Sequence, residues 1–264
     1  SAVALAISRV PEGKPVRTRR LAGRVGARVL YRNKPFRRLL GAYLLNSIAN
    51  GLPATLFLLY VTHSLAAPGW AGPLLLTYFA CGVAAIPLWL RLSTVWGKHR
   101  TWIAAMVMAT AIFATVPLLG AGDVWWFLLI CIVTGAALGA DLTLPASMQA
   151  DVVDLDTLKT GQARTGIYFA LWGIATKLAL ALAVGLAFPL LELAGFRGEA
   201  ESSSEAALLA LVLLYSLAPA CFKAVAIFLF AGYPITADCQ KRIRRLITAR
   251  QGSALKKQSE GATA

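Results

Sequence analysis

The sequence predicts an all-α polytopic membrane protein with six transmembrane helices. Hydrophobic residues make up 58% of the 264 residues and charged residues only 14%, against roughly 25% in soluble proteins. The mean hydropathy is +0.66, and several apolar stretches approach the length of about 20 residues that crosses a bilayer as a helix. These three observations argue against an ordinary soluble domain.

Six apolar stretches are the predicted spans. They lie between two basic blocks, with eleven Lys and Arg residues before the first stretch and seven after the last. From length and hydropathy we place the spans at residues 39–62, 71–90, 101–119, 124–148, 166–191 and 207–231. The chain is therefore predicted to cross the membrane six times, with both ends on the same side.

The distribution of Lys and Arg predicts the orientation of these spans. Of the 26 basic residues, 23 lie in the terminal segments and the alternate connections on one side, whereas the other side holds only Arg197. Cytoplasmic loops carry the basic excess in membrane proteins. We therefore expect both termini to be cytoplasmic, in a protein of the bacterial cytoplasmic (inner) membrane. Topology accounts for the net charge of +14, so the expected partner is the lipid bilayer and no nucleic acid.

The chain divides into three predicted segments. Residues 1–38 comprise an apolar start, which looks like the end of a preceding helix, and a basic cytoplasmic linker. Residues 39–231 are the six-helix transmembrane bundle, and residues 232–264 are a basic cytoplasmic tail. The short apolar start predicts that the chain is the rear part of a larger protein.

Two asparagines in the first span indicate a polar site. Asn46 and Asn50 are four residues apart and share a helix face, and Pro53 one turn later frees a backbone carbonyl. The pair is consistent with hydrogen bonds between helices. It is equally consistent with amide groups that line an aqueous cavity and bind a polyhydroxylated ligand. Both interpretations stay open from the sequence.

Asp141 and Lys177 are the charged residues that we expect to serve a site within the membrane. Asp141 lies roughly 10 Å inside the cytoplasmic boundary, where a carboxylate has to be paired, neutralised or hydrated. A structural ion pair is the alternative role for it. Lys177 lies near the bilayer middle on a face of small residues, and its side chain can reach Asp141. Lys223 is closer to the cytoplasm, so we expect its ammonium group to snorkel to the membrane surface.

Three aromatic residues, Tyr78, Tyr168 and Trp172, are further candidates for substrate binding, because aromatic rings can stack on a sugar ring. Most aromatic residues in membrane helices serve packing or anchor the helix at the interface. That alternative applies to all three.

The sequence predicts no enzyme and no metal site. The two histidines, His63 and His99, lie in predicted connections, and neither an HExxH nor a GxSxG motif is present. The four cysteines have no CxxC or CxxH spacing. We expect no cofactor, apart from a possible coupling ion, H⁺ or Na⁺.

Three stretches resemble one transporter family. The stretch ADVVDLDTLKTGQARTGIYFALWGIATK, residues 150–177, resembles the signature of the glycoside, pentoside and hexuronide cation symporters, the melibiose permease group of the major facilitator superfamily. Residues 233–236 with Ile243 and Leu246 resemble the end of that family, and residues 10–12 resemble the start of its central loop. The resemblance covers nearly the whole chain.

The resemblance implies a fold and a function. Family members have twelve helices, so the chain looks like the C-terminal six-helix bundle, helices 7–12, and the N-terminal six-helix half would be a missing partner. The implied function is part of a secondary active transporter that moves a sugar or glycoside with H⁺ or Na⁺ by alternating access. A non-transporting membrane scaffold or receptor on a transporter fold is the alternative.

The resemblance also implies roles for individual residues. Lys177 matches the lysine of the family's eleventh helix, which takes part in the polar network between cation and sugar. Asn46, Asn50 and Asp141 lie on spans that line the central cavity in this superfamily, whereas the acids that bind the cation lie in the other half. Residues 92–101 resemble a short basic loop of the superfamily but lack the acid often found there. The resemblance therefore implies no gating salt bridge for this loop, and topology with turn chemistry is sufficient to explain it.

Overall fold

The computed structural model describes residues 33–160, 164–196 and 205–233. Within these ranges the chain is helical, and six helices are long and apolar enough to cross a membrane. The six-span prediction is therefore confirmed. The helices are α1 (Lys34–Leu59), α2 (Ala71–Trp96), α3 (Lys98–Phe113), α4 (Val124–Thr160), α5 (Thr165–Leu193) and α6 (Glu205–Ala231).

Local sequence signals set the ends of these helices. The side chain of Asn33 accepts a hydrogen bond from the Phe36 backbone amide at 3.2 Å and so caps the start of α1. Gly97 separates α2 from α3 with a φ of +82°, a backbone conformation that glycine adopts at little cost. One π-helical turn, Tyr60–Ser64, extends α1, and a short 3-10 turn, Val116–Leu118, follows α3.

One end of the bundle is basic. There α1 and α3 begin and α2, α4 and α6 end, and the first turns of α1 and α3 bring lysines and arginines together. We call it the basic end. The predicted terminal segments fall mostly outside the described ranges, because residues 1–32 and 234–264 are not among them. The same is true of residues 161–163 and 197–204, which contain parts of the fourth and fifth connections.

The fourth helix is longer than the sequence predicted. We placed the end of this span near residue 148, but α4 continues to Thr160 and carries Asp151 and Asp156 on its last turns. Its 37 residues correspond to about 55 Å, well beyond the roughly 30 Å hydrocarbon core. Ion pairs hold this extension, because Asp151 lies 2.6 Å from the Lys98 ammonium and Asp156 lies 3.9 Å from the Arg164 guanidinium.

The most extensive contacts between helices are those of α2 with α4 and of α1 with α6. Helix α1 also contacts α5, and α3 packs against α4 and α6. Glycines allow the close approach of α2 and α4, since Gly82 and Gly139 face each other across the contact. Away from the basic end, the rings of Tyr60 and Tyr215 stack with their centroids 4.3 Å apart, within the hydrophobic core of the bundle.

The fifth helix lies at the side of the bundle. It buries a stripe of alanines four residues apart, and Ala183 sits close against Gly51 of α1. The other faces of α5 are largely exposed within the described part of the chain, and no heavy atom of another element lies within 4 Å of the Cβ position at Gly166 or Gly173. The small-residue face that the sequence analysis identified is therefore uncovered in this bundle.

Candidate functional site

A polar network occupies the interior of the bundle, in the half nearer the basic end. The Asp141 carboxylate on α4 is at its centre. It accepts a hydrogen bond from the Asn50 side-chain amide at 2.8 Å and another from the Trp102 indole N–H at 2.7 Å. The Lys223 ammonium lies 3.6 Å from the same carboxylate and donates a hydrogen bond to the Asn46 side-chain oxygen at 2.7 Å. We call these five residues the Asp141 network.

Four helices contribute to the Asp141 network, and the helical repeat explains how they do so. Asn46 and Asn50 are one turn apart on α1, so both amides face α4 and α6. A carboxylate in a membrane interior needs hydrogen bonds and an opposite charge, and here three helices supply them. Removing one partner of a buried ion pair typically costs about 3–5 kcal/mol, because the other charge is left unpaired.

A cavity of about 410 Å³ lies beside this network. Five of the described helices line it, α1, α2, α3, α4 and α6. Asn50, Asp141 and Lys223 form one end of the wall. Most of the remaining wall is aliphatic or aromatic, and its aromatic members are Phe57, Tyr78, Phe79, Phe113, Phe127 and Tyr215. We call it the bundle cavity, and its chemistry suits a molecule with one polar end and an apolar body.

The structure brings together three of the predicted site residues. Asn50, Asp141 and Tyr78 line the bundle cavity, and Asn46 lies directly behind its wall as the acceptor for Lys223. The interpretation of Asn46 and Asn50 as partners in interhelical hydrogen bonds is confirmed. Whether these residues bind substrate stays a prediction.

The predicted pairing of Lys177 with Asp141 is wrong. The ion partner of Asp141 is Lys223, and Lys177 forms no salt bridge within the described ranges. The reason is the orientation of α5. Its alanine face, which includes Ala175, packs on the bundle, and Lys177 two residues later points about 200° away from that face.

The expectation that Lys223 snorkels is also wrong. Its side chain is only 8% exposed and turns into the bundle. The basic end of α6 is eight residues away, about 12 Å, which a lysine stem can partly span. Asn46 and Asp141 are nearer partners, so the ammonium group stays inside.

Sequence reasoning missed Trp102 altogether. The residue is fully buried near the start of α3, and its indole N–H reaches the Asp141 carboxylate. A buried indole N–H needs an acceptor, but nothing local to α3 indicates which one. In contrast, the sequence contained a signal for the pairing of Lys223. Asp141 is an acid within a span, and its predicted depth lies in the same half of the bilayer as that of Lys223.

Trp172 lies outside the bundle cavity. Its ring stacks on Tyr43 of α1 with centroids 4.0 Å apart, and the Tyr43 hydroxyl forms a 3.0 Å hydrogen bond with the Thr176 hydroxyl. Trp172 thus anchors α5 to α1. Stacking of the Trp172 ring on a sugar stays a prediction. The position of the ring outside the bundle cavity does not favour it.

The short basic loop takes part in a salt bridge after all. Lys98 at the start of α3 pairs with Asp151 at 2.6 Å and donates to the Ser147 carbonyl at 3.3 Å. The loop itself contains no acid, and α4 supplies the carboxylate because the helix continues beyond residue 148. Because the acid lies outside the loop, this pair could not be predicted from the loop sequence. Whether it serves gating is not tested.

Metal ligands do not cluster in the described part of the chain. No group of three or more His, Cys, Asp or Glu side chains in those ranges is arranged to hold a metal ion. The contacts that the described residues make at the site are hydrogen bonds, one ion pair and apolar contacts.

Comparison with known proteins identifies a family. Residues 2–237 match the family described as MFS/sugar transport protein. One relative is the sphingosine-1-phosphate transporter MFSD2B of Xenopus tropicalis, 28% identical over 211 residues, which cover 78% of this chain and 40% of that protein. Together with the six apolar helices, the family match makes the chain an integral membrane protein.

Two further relatives are named as symporters. The human sodium-dependent lysophosphatidylcholine symporter 1 is 25% identical over 231 residues, covering 87% of this chain and 42% of the relative. An uncharacterized symporter of Synechocystis is 26% identical over 230 residues, covering 85% and 42%. The chain spans about two fifths of the length of the curated relatives that it matches. None of these three names refers to the sugar that the melibiose permease resemblance implies.

Proposed function

Because the chain belongs to the family of MFS/sugar transport proteins, we propose that it forms one six-helix half of a secondary active transporter. In such proteins two bundles rock about a site at their interface, and access alternates between the two sides of the membrane. We assign the chain to helices 7–12, with the N-terminal six-helix half as its partner. The observation that carries the proposal is the Asp141 network beside the bundle cavity, because charges retained inside a membrane mark substrate and ion pathways.

The uncovered face of α5 supports the existence of that partner. Lys177 and its small-residue neighbours are exposed in this bundle, and small residues allow close approach of another helix. A charged side chain exposed to lipid is unfavourable near the middle of a bilayer. We propose that the other half covers this face, which would return Lys177 to a protein or aqueous environment.

We propose that transport is coupled to H⁺ or Na⁺. Two of the relatives are named symporters, and one of them is named sodium-dependent. A coupling ion changes the balance between two conformations only by its differential affinity for them. The Asp141 carboxylate and the ion pair around it supply a charge that such an ion can influence. We place this protein in the bacterial inner membrane, with both termini cytoplasmic.

For the substrate we propose a single-chain amphiphile with a phosphate-bearing headgroup. Apart from the polar end, the wall of the bundle cavity is mostly aliphatic and aromatic. Its three threonines, Thr55, Thr110 and Thr134, each donate their hydroxyl to a carbonyl of their own helix. This wall suits a hydrocarbon chain attached to a polar group. Lysophosphatidylcholine and sphingosine-1-phosphate, in the names of two relatives, share this design. A sugar would need donors and acceptors around its whole ring. It remains the second candidate, because residues 150–177 resemble the melibiose permease group.

Uptake by proteoliposomes tests the proposal. The full-length transporter that contains this chain is reconstituted, and an inward Na⁺ or H⁺ gradient is imposed with radiolabelled lysophosphatidylcholine or melibiose outside. We expect gradient-driven uptake of the lysolipid that the Asp141→Asn variant loses. Uptake of melibiose alone would contradict the substrate class. Ligand binding without gradient-driven uptake of either compound would favour the scaffold or receptor alternative.

A further inference from the structure

The Lys223 ammonium has fewer acceptors than donors. It carries three N–H donors, and within the described ranges one of them makes a hydrogen bond of ordinary length, to Asn46 at 2.7 Å. The nearest oxygen of Asp141 is 3.6 Å away, beyond the 2.7–3.2 Å of an ordinary N–H···O bond. Asn50 and Trp102 already donate to the two oxygens of that carboxylate. A buried ammonium group thus keeps donors available for another acceptor.

Lys223 lines the bundle cavity close to the Asp141 carboxylate. The residue is more than nine-tenths buried, so a molecule in the cavity is the natural source of an acceptor. Asn46 holds the ammonium group from behind, and Asp141 holds it from the side. The position of the positive charge is therefore fixed before any ligand arrives, which reduces the ordering cost of binding.

The apolar part of the cavity extends from this point away from the basic end. On α1, Phe57 follows Asn50 by seven residues, about 10 Å, and on α6, Tyr215 precedes Lys223 by eight, about 12 Å. Both aromatic residues line the wall. A ligand with its anionic group at Lys223 would therefore lay its hydrocarbon chain along aromatic and aliphatic side chains.

We propose that the Lys223 ammonium binds the phosphate group of the substrate, with Asn46 as the residue that positions it. This inference rests on the proposed function and adds the location and orientation of the headgroup. A phosphate oxygen forms charge-assisted hydrogen bonds with an ammonium group, which are about twice as strong as neutral ones. A hydroxyl group of a neutral headgroup can also accept from the ammonium group, but it carries no negative charge and so adds no ion-pair attraction. Lys223 thus distinguishes a phosphate headgroup from a sugar headgroup on the same chain.

Two probes that share one hydrocarbon chain test this assignment. Dodecyl phosphate and dodecyl maltoside differ only in the headgroup, and both can be measured by equilibrium binding to the full-length transporter in lipid nanodiscs, with empty nanodiscs as the blank. In the Lys223→Gln variant we expect the affinity for dodecyl phosphate to fall between about 10-fold and 150-fold. Binding of dodecyl maltoside should not change, which also shows that the variant is folded.

Further variants separate charge from structure. Lys34→Gln removes a positive charge from the exposed start of α1 and should leave both affinities unchanged. Lys223→Arg keeps the charge and should retain most of the preference for phosphate. The double variant Lys223→Gln with Asp141→Asn leaves no unpaired charge, and it should still lose dodecyl phosphate binding.

The outcomes distinguish a failure of this inference from a failure of the proposed function. Equal affinity of the wild type and the Lys223→Gln variant for dodecyl phosphate would overturn the assignment of Lys223 and leave the substrate class intact. A wild type that binds neither amphiphile would overturn the substrate class, and the assignment with it. Loss of both probes in Lys223→Gln but only of dodecyl phosphate in the double variant would support the assignment.

Discussion

In the contact between α2 and α4, Gly139 is a position where the effect of one added methyl group can be calculated from the structure. A Cβ at Gly139 would lie 2.5 Å from the Gly82 carbonyl oxygen and 3.3 Å from the Ile86 backbone nitrogen. Ordinary contact begins at 3.4 Å, so the two backbones have to separate by about 0.9 Å. Both obstacles are backbone atoms of a helix, which cannot rotate away as a side chain can.

We therefore expect Gly139→Ala to destabilise the protein. Overpacking of a well-packed contact typically costs about 1–3 kcal/mol, and this one also forces α2 and α4 apart. The indole N–H of Trp89 donates to the Ala136 carbonyl at 2.7 Å across the same contact, and this bond should lengthen. A thermal-shift measurement of the full-length transporter in detergent should show a lower melting temperature.

Gly185→Ala is the matched control for this substitution. Gly185 lies in the middle of α5, and nothing lies within 4 Å of its Cβ position. Alanine stabilises a helix by up to about 1 kcal/mol relative to glycine, so this variant should be unchanged or slightly more stable. Equal melting temperatures for Gly139→Ala and the wild type would refute the close α2–α4 contact.

Two further predictions concern topology and the fifth helix. Reporter fusions after Trp70 and Gly122 should report the non-cytoplasmic side, and a fusion after Lys98 the cytoplasm, because the basic connections face inward; a cytoplasmic signal at Gly122 would contradict this orientation. Lys177→Ala should reduce gradient-driven uptake by the full-length transporter while membrane insertion and expression stay largely intact, because we propose that Lys177 faces the other half and it has no ion partner within the described ranges. Uptake at the wild-type level would show that Lys177 does not serve transport.

The number and placement of the helices could be predicted from the sequence because the bilayer imposes a local requirement. Each span must be apolar over about 20 residues, and this property can be summed along the chain without knowledge of any contact. The end of α4 could not be predicted in the same way. Beyond residue 148 the helix is held by Asp151 and Asp156, whose partners are Lys98 at the start of α3 and Arg164 directly before α5.

The candidate site, like the helices, could be predicted only in part from the sequence. A carboxylate at the depth of Asp141 needs partners, and that need follows from the sequence and the solvent alone. Which lysine meets it depends on the rotation of each helix about its axis. The alanine stripe turns Lys177 outward on α5, whereas Asn46 and Asp141 hold Lys223 inward on α6. The rotation of a helix about its axis is set by packing between helices that are distant in sequence. Only the tertiary structure therefore shows that Lys223, and not Lys177, pairs with Asp141.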